Sequence, residues 1–175
     1  MANLIFHTDG GLVGLLLRLT VAIVIFPHGA QKLFGWFGGY GIAGTGGFLE
    51  TLGFRPGKTF ATAAGLGEFL GGLLLAFGFL GAVGPAIIIA GMIVAMVTVH
   101  WKNKFFVATN GIEHPLMYTA VAIGIALTGP GRYSLDAALG NTWLETPRIT
   151  WILLAIGVVA GLLNLAVRRA PPAKV

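Results

Sequence analysis

The chain predicts an all-α, polytopic transmembrane helical bundle, and three observations carry that prediction. Only 10% of its 175 residues are charged against 56% hydrophobic. Its mean hydropathy is +0.87. Its apolar residues gather into five runs, at 12–36, 60–80, 82–100, 116–128 and 149–167. A bilayer core about 30 Å thick is crossed by about 20 apolar residues of helix, since each residue advances ~1.5 Å and a helix satisfies its own backbone hydrogen bonds.

The first run carries Arg18, His28 and Lys32, and its end meets a glycine-rich stretch at 38–47 that is expected to be mobile. Residues 48–54 suit a short amphipathic segment at the membrane interface, with Trp36, Phe37, Tyr40 and Phe54 in the aromatic belt. The second run holds Glu68, and the third ends on His100 and Trp101. The fourth is short. It reaches spanning length only by borrowing from 113–118 or by continuing towards Gly131, and the alternative is four spans with one shallow segment. Pro130 and Gly131 should end it, with Ser134 or Asp136 capping the next turn, in a structural corner tied by Arg132 and Asp136, a substrate site being the alternative. Two small-residue pairs, Gly67/Gly71 and Gly157/Gly161, are spaced for close helix contact, within one chain or between copies in a homo-oligomer.

Five spans place Arg55, Lys58, Lys102, Lys104, Arg168, Arg169 and Lys174 on one side, against Arg132 and Arg148 on the other. The positive-inside rule puts the richer side, with the C-terminus, in the cytoplasm and the N-terminus outside. Residues 1–11 lack the basic n-region of a removable signal. The net charge of +5 is spread over loops rather than gathered on a stripe, which argues for a lipid partner and against nucleic acid. With no cysteine, thiol redox chemistry, iron–sulfur clusters and disulfides are excluded.

Charges inside the apolar runs are costly and mark candidate functional positions. Arg18 lies ~10 Å deep from one face and Glu68 ~13 Å from the other, so their levels differ by about 7 Å. Two readings follow: a buried Arg18–Glu68 ion pair, or Glu68 as a proton carrier or quinone ligand with Arg18 tuning it. His28 and Lys32 share a helix face, with His100 at similar depth and Glu113 and His114 nearby. That cluster suits a polar pocket, with axial b-type haem ligation by His28 and His100 as the alternative. No metal-ligand spacing is present. Gly57-Lys58-Thr59 fails as a phosphate loop because Leu52 stands where the motif needs glycine.

Arg18 followed by FPHGAQKLFG at 26–35, GLGEFLGGLLLAFG at 65–78 and GPGRYSLD at 129–136 together resemble the DoxX family, over residues 12–137. The resemblance implies a four-helix DoxX-like core in 1–137. Residues 138–175 then add an external loop, a fifth C-terminal helix and a basic cytoplasmic tail. It further implies a bacterial inner-membrane protein similar to thiosulfate:quinone oxidoreductase subunits, redox-associated, with a quinone and a soluble or membrane partner that supplies electrons. Arg18, His28, Lys32, Glu68 and 129–136 are the family-pattern positions. On this reading Glu68 and Arg18 are the candidate catalytic residues and His28, Lys32, His100 and Trp101 the candidate cofactor-binding ones, with Phe34, Trp36, Phe69 and Trp101 as ring contacts. The competing function class is a non-catalytic anchor or scaffold. A proton-coupled transporter is third, without the paired broken helices such proteins carry.

Overall fold

The computed structural model describes residues 11–169, apart from the side chain of Thr142. The expectation about a signal in the first residues, and Lys174 of the basic tail, lie outside the described residues. Among the described residues seven α-helices form: α1 Gly11–Phe34, α2 Gly41–Thr51, α3 Gly57–Phe77, α4 Val83–Ala95, α5 Glu113–Thr128, α6 Leu135–Leu139 and α7 Pro147–Ala166. A π turn and a 3-10 turn prolong α4, so that Val83–Asn103 is one rod. By length and composition α1, α3, the prolonged α4 and α7 are four candidate membrane spans.

The fourth apolar run falls between the two expectations. α5 borrows back to Glu113, yet its 16 residues measure only ~24 Å. It still joins the two ends of the bundle. Backbone bonds from Ile112 and Glu113 to Lys104 and Phe105 hold its start beside the end of α4, and the Asp136 amide reaches Gly78 at the end of α3 beyond its C-terminus. Pro130 and Gly131 follow its last residue, and Ser134 caps α6 by accepting from the Ala137 amide at 3.1 Å. Residues 41–47, expected to be a mobile glycine stretch, are instead wound into α2. Gly46 explains this. A Cβ there would meet the Lys58 amide nitrogen at 2.9 Å, so α2 rests directly on the first turn of α3, where Glu50 caps the Gly57 amide at 2.9 Å.

Glycines also set the main helix pair. α1 lies antiparallel on α3, with Gly29 backed directly onto the Phe69 backbone and Gly72 onto Phe26, where a Cβ would meet the Phe26 nitrogen at 2.8 Å. In lipid, where helix association relies on close van der Waals contact, such approach supplies much of the attraction. α7 packs the same way on α4. A Cβ on Gly157 would stand 2.5 Å from the Ala86 carbonyl and one on Gly161 3.0 Å from Ile93, so this pair serves contact within the chain. Val21, Ile25, Leu75, Ile88, Ile125 and Leu154 fill the space between.

At one end of the bundle a polar corner replaces the expected Arg18–Glu68 pair. Arg18, 1% exposed, donates from Nη1 to the Leu75 and Ala76 carbonyls at 3.0 and 3.1 Å and from Nη2 to the Tyr133 carbonyl at 2.7 Å. The reason lies in side-chain direction. A helical side chain tilts towards its own N-terminus, which carries the guanidinium away from Glu68 and onto the last turn of α3. There the Ala76 carbonyl has no intrahelical donor, the Leu75 carbonyl has room beside the Gly78 amide at 3.1 Å, and the helix dipole turns its negative end. Asp136, fully buried, completes the corner by accepting from the Leu80 and Gly81 amides at 3.1 and 2.6 Å and from Asn141 at 2.9 Å. Arg132 does not tie it; its guanidinium stacks over the Tyr133 ring at 4.9 Å.

Two stability predictions follow from these contacts. Arg18→Leu strands the Ala76 and Tyr133 carbonyls, the Leu75 carbonyl keeping the Gly78 amide, and should lower unfolding stability in detergent by about 3 kcal/mol, with Arg18→Lys intermediate because an ammonium cannot reproduce the fork. A native melting temperature for Arg18→Leu would refute the capping role. Gly29→Ala should cost ~2 kcal/mol through overpacking. Gly67→Ala, whose Cβ would meet only Ile87 at 3.4 Å, should be nearly silent in the same melt.

Candidate functional site

α3 and α7 flank α4 on either side, and between them runs a lateral groove of about 520 Å³. Its floor is α4 from Val83 to His100; Phe60, Ala63, Ala64, Gly67 and Glu68 form one wall and Leu153, Ile156, Gly157, Ala160 and Asn164 the other. Thr45, Phe48 and Leu49 of α2, with Phe54, close it towards His100. Small residues keep the space open. A Cβ added to Gly91 on the floor would meet nothing within 4 Å. Ala63, Phe48, Ile156 and Asn164 are exposed, so the groove faces the lipid sideways.

Towards its Val83 end stands an ion pair, Lys32 with Glu68, at side-chain exposures of 27% and 15%. Helix geometry produces it. Residues 32 and 33 pack against Gly65, whose Cβ would stand 3.2 Å from that of Lys32. From there the Lys32 side chain tilts back along α1, and Glu68, on the antiparallel helix, tilts to meet it. The ammonium also reaches the His28 carbonyl at 3.5 Å. Among the described residues this is the sole ion pair within 4.0 Å. A carboxylate and an ammonium this deep in lipid are tolerable only together.

The groove gathers some of the expected site residues and omits others. Lys32, Glu68 and His100 line it; Arg18, His28 and Trp101 do not. His28 is exposed on the outer surface of α1, and Trp101 is 66% exposed beyond the end of α4. His100 is not level with the pair. Ile87 packs against Gly67 and Gly71, and His100 lies 13 residues further on, ~20 Å along the axis. Its Nδ1 is 2.8 Å from the Asn110 carbonyl. The expected ring contacts also change. Phe34, Trp36 and Phe69 stack on one another away from the groove, with centroids 4.8 to 5.6 Å apart, while Phe48, Phe54 and Phe60 face it. Asn164, the single amide within the last apolar run, was a readable signal for the α7 wall. Among the described residues no group of three His, Asp or Glu side chains is placed to hold a metal.

The pair can be dissected. Lys32→Met should destabilise the protein by about 2 kcal/mol, between the exposed and fully buried limits, because it leaves Glu68 uncompensated. Adding Glu68→Met to it should recover most of that loss. Additive losses in a double-mutant cycle of unfolding in detergent would show that the two charges are not coupled.

The sequence matches the DoxX family over residues 13–101, which takes in α1, α2, α3 and nearly all of the prolonged α4. A protein of Bacillus subtilis (strain 168) named "Putative oxidoreductase CatD" is 30% identical over 122 residues, covering 70% of this chain and 83% of that one. No solved structure matches. With the matched segment carrying both the Lys32–Glu68 pair and the groove floor, the chain belongs to the DoxX family of membrane proteins.

Proposed function

We propose that this protein is a quinone-interacting, redox-associated subunit of a bacterial inner membrane, and that the Lys32–Glu68 pair in the lateral groove is where the quinone ring binds. The observation that carries the reading is the placement of a proton-bearing pair in an apolar slot open to lipid. A volume of about 520 Å³ accommodates a ring and part of an isoprenoid chain. A quinone supplies two-electron, two-proton chemistry. The chain's own part is to donate from the Lys32 ammonium to a ring carbonyl, to hold or accept a proton at a Glu68 carboxylate oxygen, and to keep water off the ring with Ile87, Leu153 and Ile156. Electrons come from a partner, since the chain has no cysteine to carry them. The name of the Bacillus relative supports the redox half of this reading. Orientation follows from Arg55, Lys58, Lys102, Lys104, Arg168 and Arg169, which share the His100 end and would face the cytoplasm, against Arg132 and Arg148 at the Arg18 end.

The test is to purify the protein from its native membrane, extract it, and record mass and absorption spectra on one sample. Near-stoichiometric quinone without a Soret band is expected, and Glu68→Gln, whose amide oxygen still accepts from the Lys32 ammonium, should reduce it at least tenfold with a smaller loss of melting temperature than Lys32→Met. A Soret band would point instead to haem on a histidine pair. Absence of quinone, with a tightly retained protein partner, would favour the anchor reading.

A further inference from the structure

The end of α7 does not trail away from the bundle; it is fastened to the turn between α2 and α3. Arg168 donates from Nε to the Leu52 carbonyl at 2.5 Å, and the Arg169 amide donates to the Gly53 carbonyl at 2.9 Å. Gly53, at φ 95°, lies directly under the Arg168 stem and the Arg169 carbonyl, where any Cβ would collide. This fastening gathers four exposed cations, Arg55, Lys58, Arg168 and Arg169, at one corner of the His100 end. None of the four has a carboxylate within 4.0 Å among the described residues, and Glu50, the nearby acid, already accepts from the Gly57 amide. Four unneutralised charges drawn together repel one another, so the corner favours an anion.

The apolar groove begins beside that corner. Phe54 and Phe60 stack at 5.3 Å and line it, and Asn164, in the last turn of α7 ahead of Arg168, lines it from the other side. Past them the opening between α3 and α7 is bordered by Ala63 and Ala160. We propose that the corner is a binding site for one anionic phospholipid. Its phosphate sits among Arg55, Lys58 and Arg168, and one acyl chain lies along Phe60, Ala63 and Ala160 across the lateral opening. The cations match the head, the adjoining groove matches the chain, and the interfacial end of α7 is the depth of a headgroup. The headgroup site does not rest on the quinone reading, because it uses neither Lys32 nor Glu68, while its acyl chain shares Phe60, Ala63 and Ala160 with the groove.

Native mass spectrometry of the full chain in neutral detergent, titrated with phosphatidylglycerol or phosphatidylcholine, tests it. One phosphatidylglycerol should be retained in preference to phosphatidylcholine. Neutralising Arg55 and Lys58 as R55Q/K58Q should weaken it about fivefold for each charge removed, with an unchanged melting temperature in lipid-free detergent. K102Q/K104Q, on the turn that follows α4 at the same end, should leave it unchanged, and Ala63→Phe should weaken it with all charges intact. Equal loss from K102Q/K104Q would reduce the effect to general surface attraction and overturn the site. Displacement by inorganic phosphate alone, or indifference to Ala63→Phe, would overturn the acyl-chain half. Quinone is read separately by its mass in the same spectra, so failure of either proposal is visible without the other.

Discussion

The antiparallel contact of α1 on α3 is the constraint on which the rest of this structure depends. Gly29 and Gly72 let the two backbones approach within a side chain's width, and that closeness fixes their register. Register then decides which polar groups meet. Towards one end it delivers Arg18 to the open carbonyls of α3, and in the middle it sets Lys32 one turn from Glu68. The charges in α1 and α3 are thus answered by different means, one by a helix terminus and one by an opposite charge. Both answers follow from the tilt of side chains towards their own N-termini.

A groove arises because α4 keeps its neighbours apart. α3 and α7 each pack on α4, by Ile87 against Gly67 and Gly71 and by Ala86 against Gly157, and they leave between them a slot floored by α4. Glycine therefore has two uses in this chain. Where two backbones touch, as at Gly29 and Gly157, it permits packing; where nothing stands opposite, as at Gly91, it preserves space. α2 gives the groove its closed end, and its helical form follows from resting on α3 rather than from intrinsic preference, since glycine disfavours helix.

The apolar runs disclosed the helices to within a few residues, because crossing length and hydropathy are properties of the sequence alone. The DoxX likeness was equally legible in the motifs around Arg18, Lys32 and Glu68. Partners were not. Arg18 was matched to Glu68 by depth, but its actual acceptors are backbone carbonyls, which carry no residue identity to read. Lys32 was grouped by depth with His28 and His100, towards the end of the first apolar run. In fact α1 ends opposite the middle of α3, with α2 covering the remainder, so Lys32 lies beside the acid. His28 and His100 were grouped by the same depth argument, and Trp101 fell outside the groove because α4 ends in π and 3-10 turns that no hydropathy pattern announces.

The central claim is that a ring-shaped redox ligand binds at the Lys32–Glu68 pair. Photolabelling the purified protein with an azido-quinone, followed by peptide mapping, examines it most directly. The account predicts label on α3 around Gly67 and Glu68 and on the facing floor of α4 near Ile87 and Gly91, competed by unlabelled quinone. Label confined to the Arg18 corner or the outer face of His28, or label that excess quinone does not displace, would contradict it.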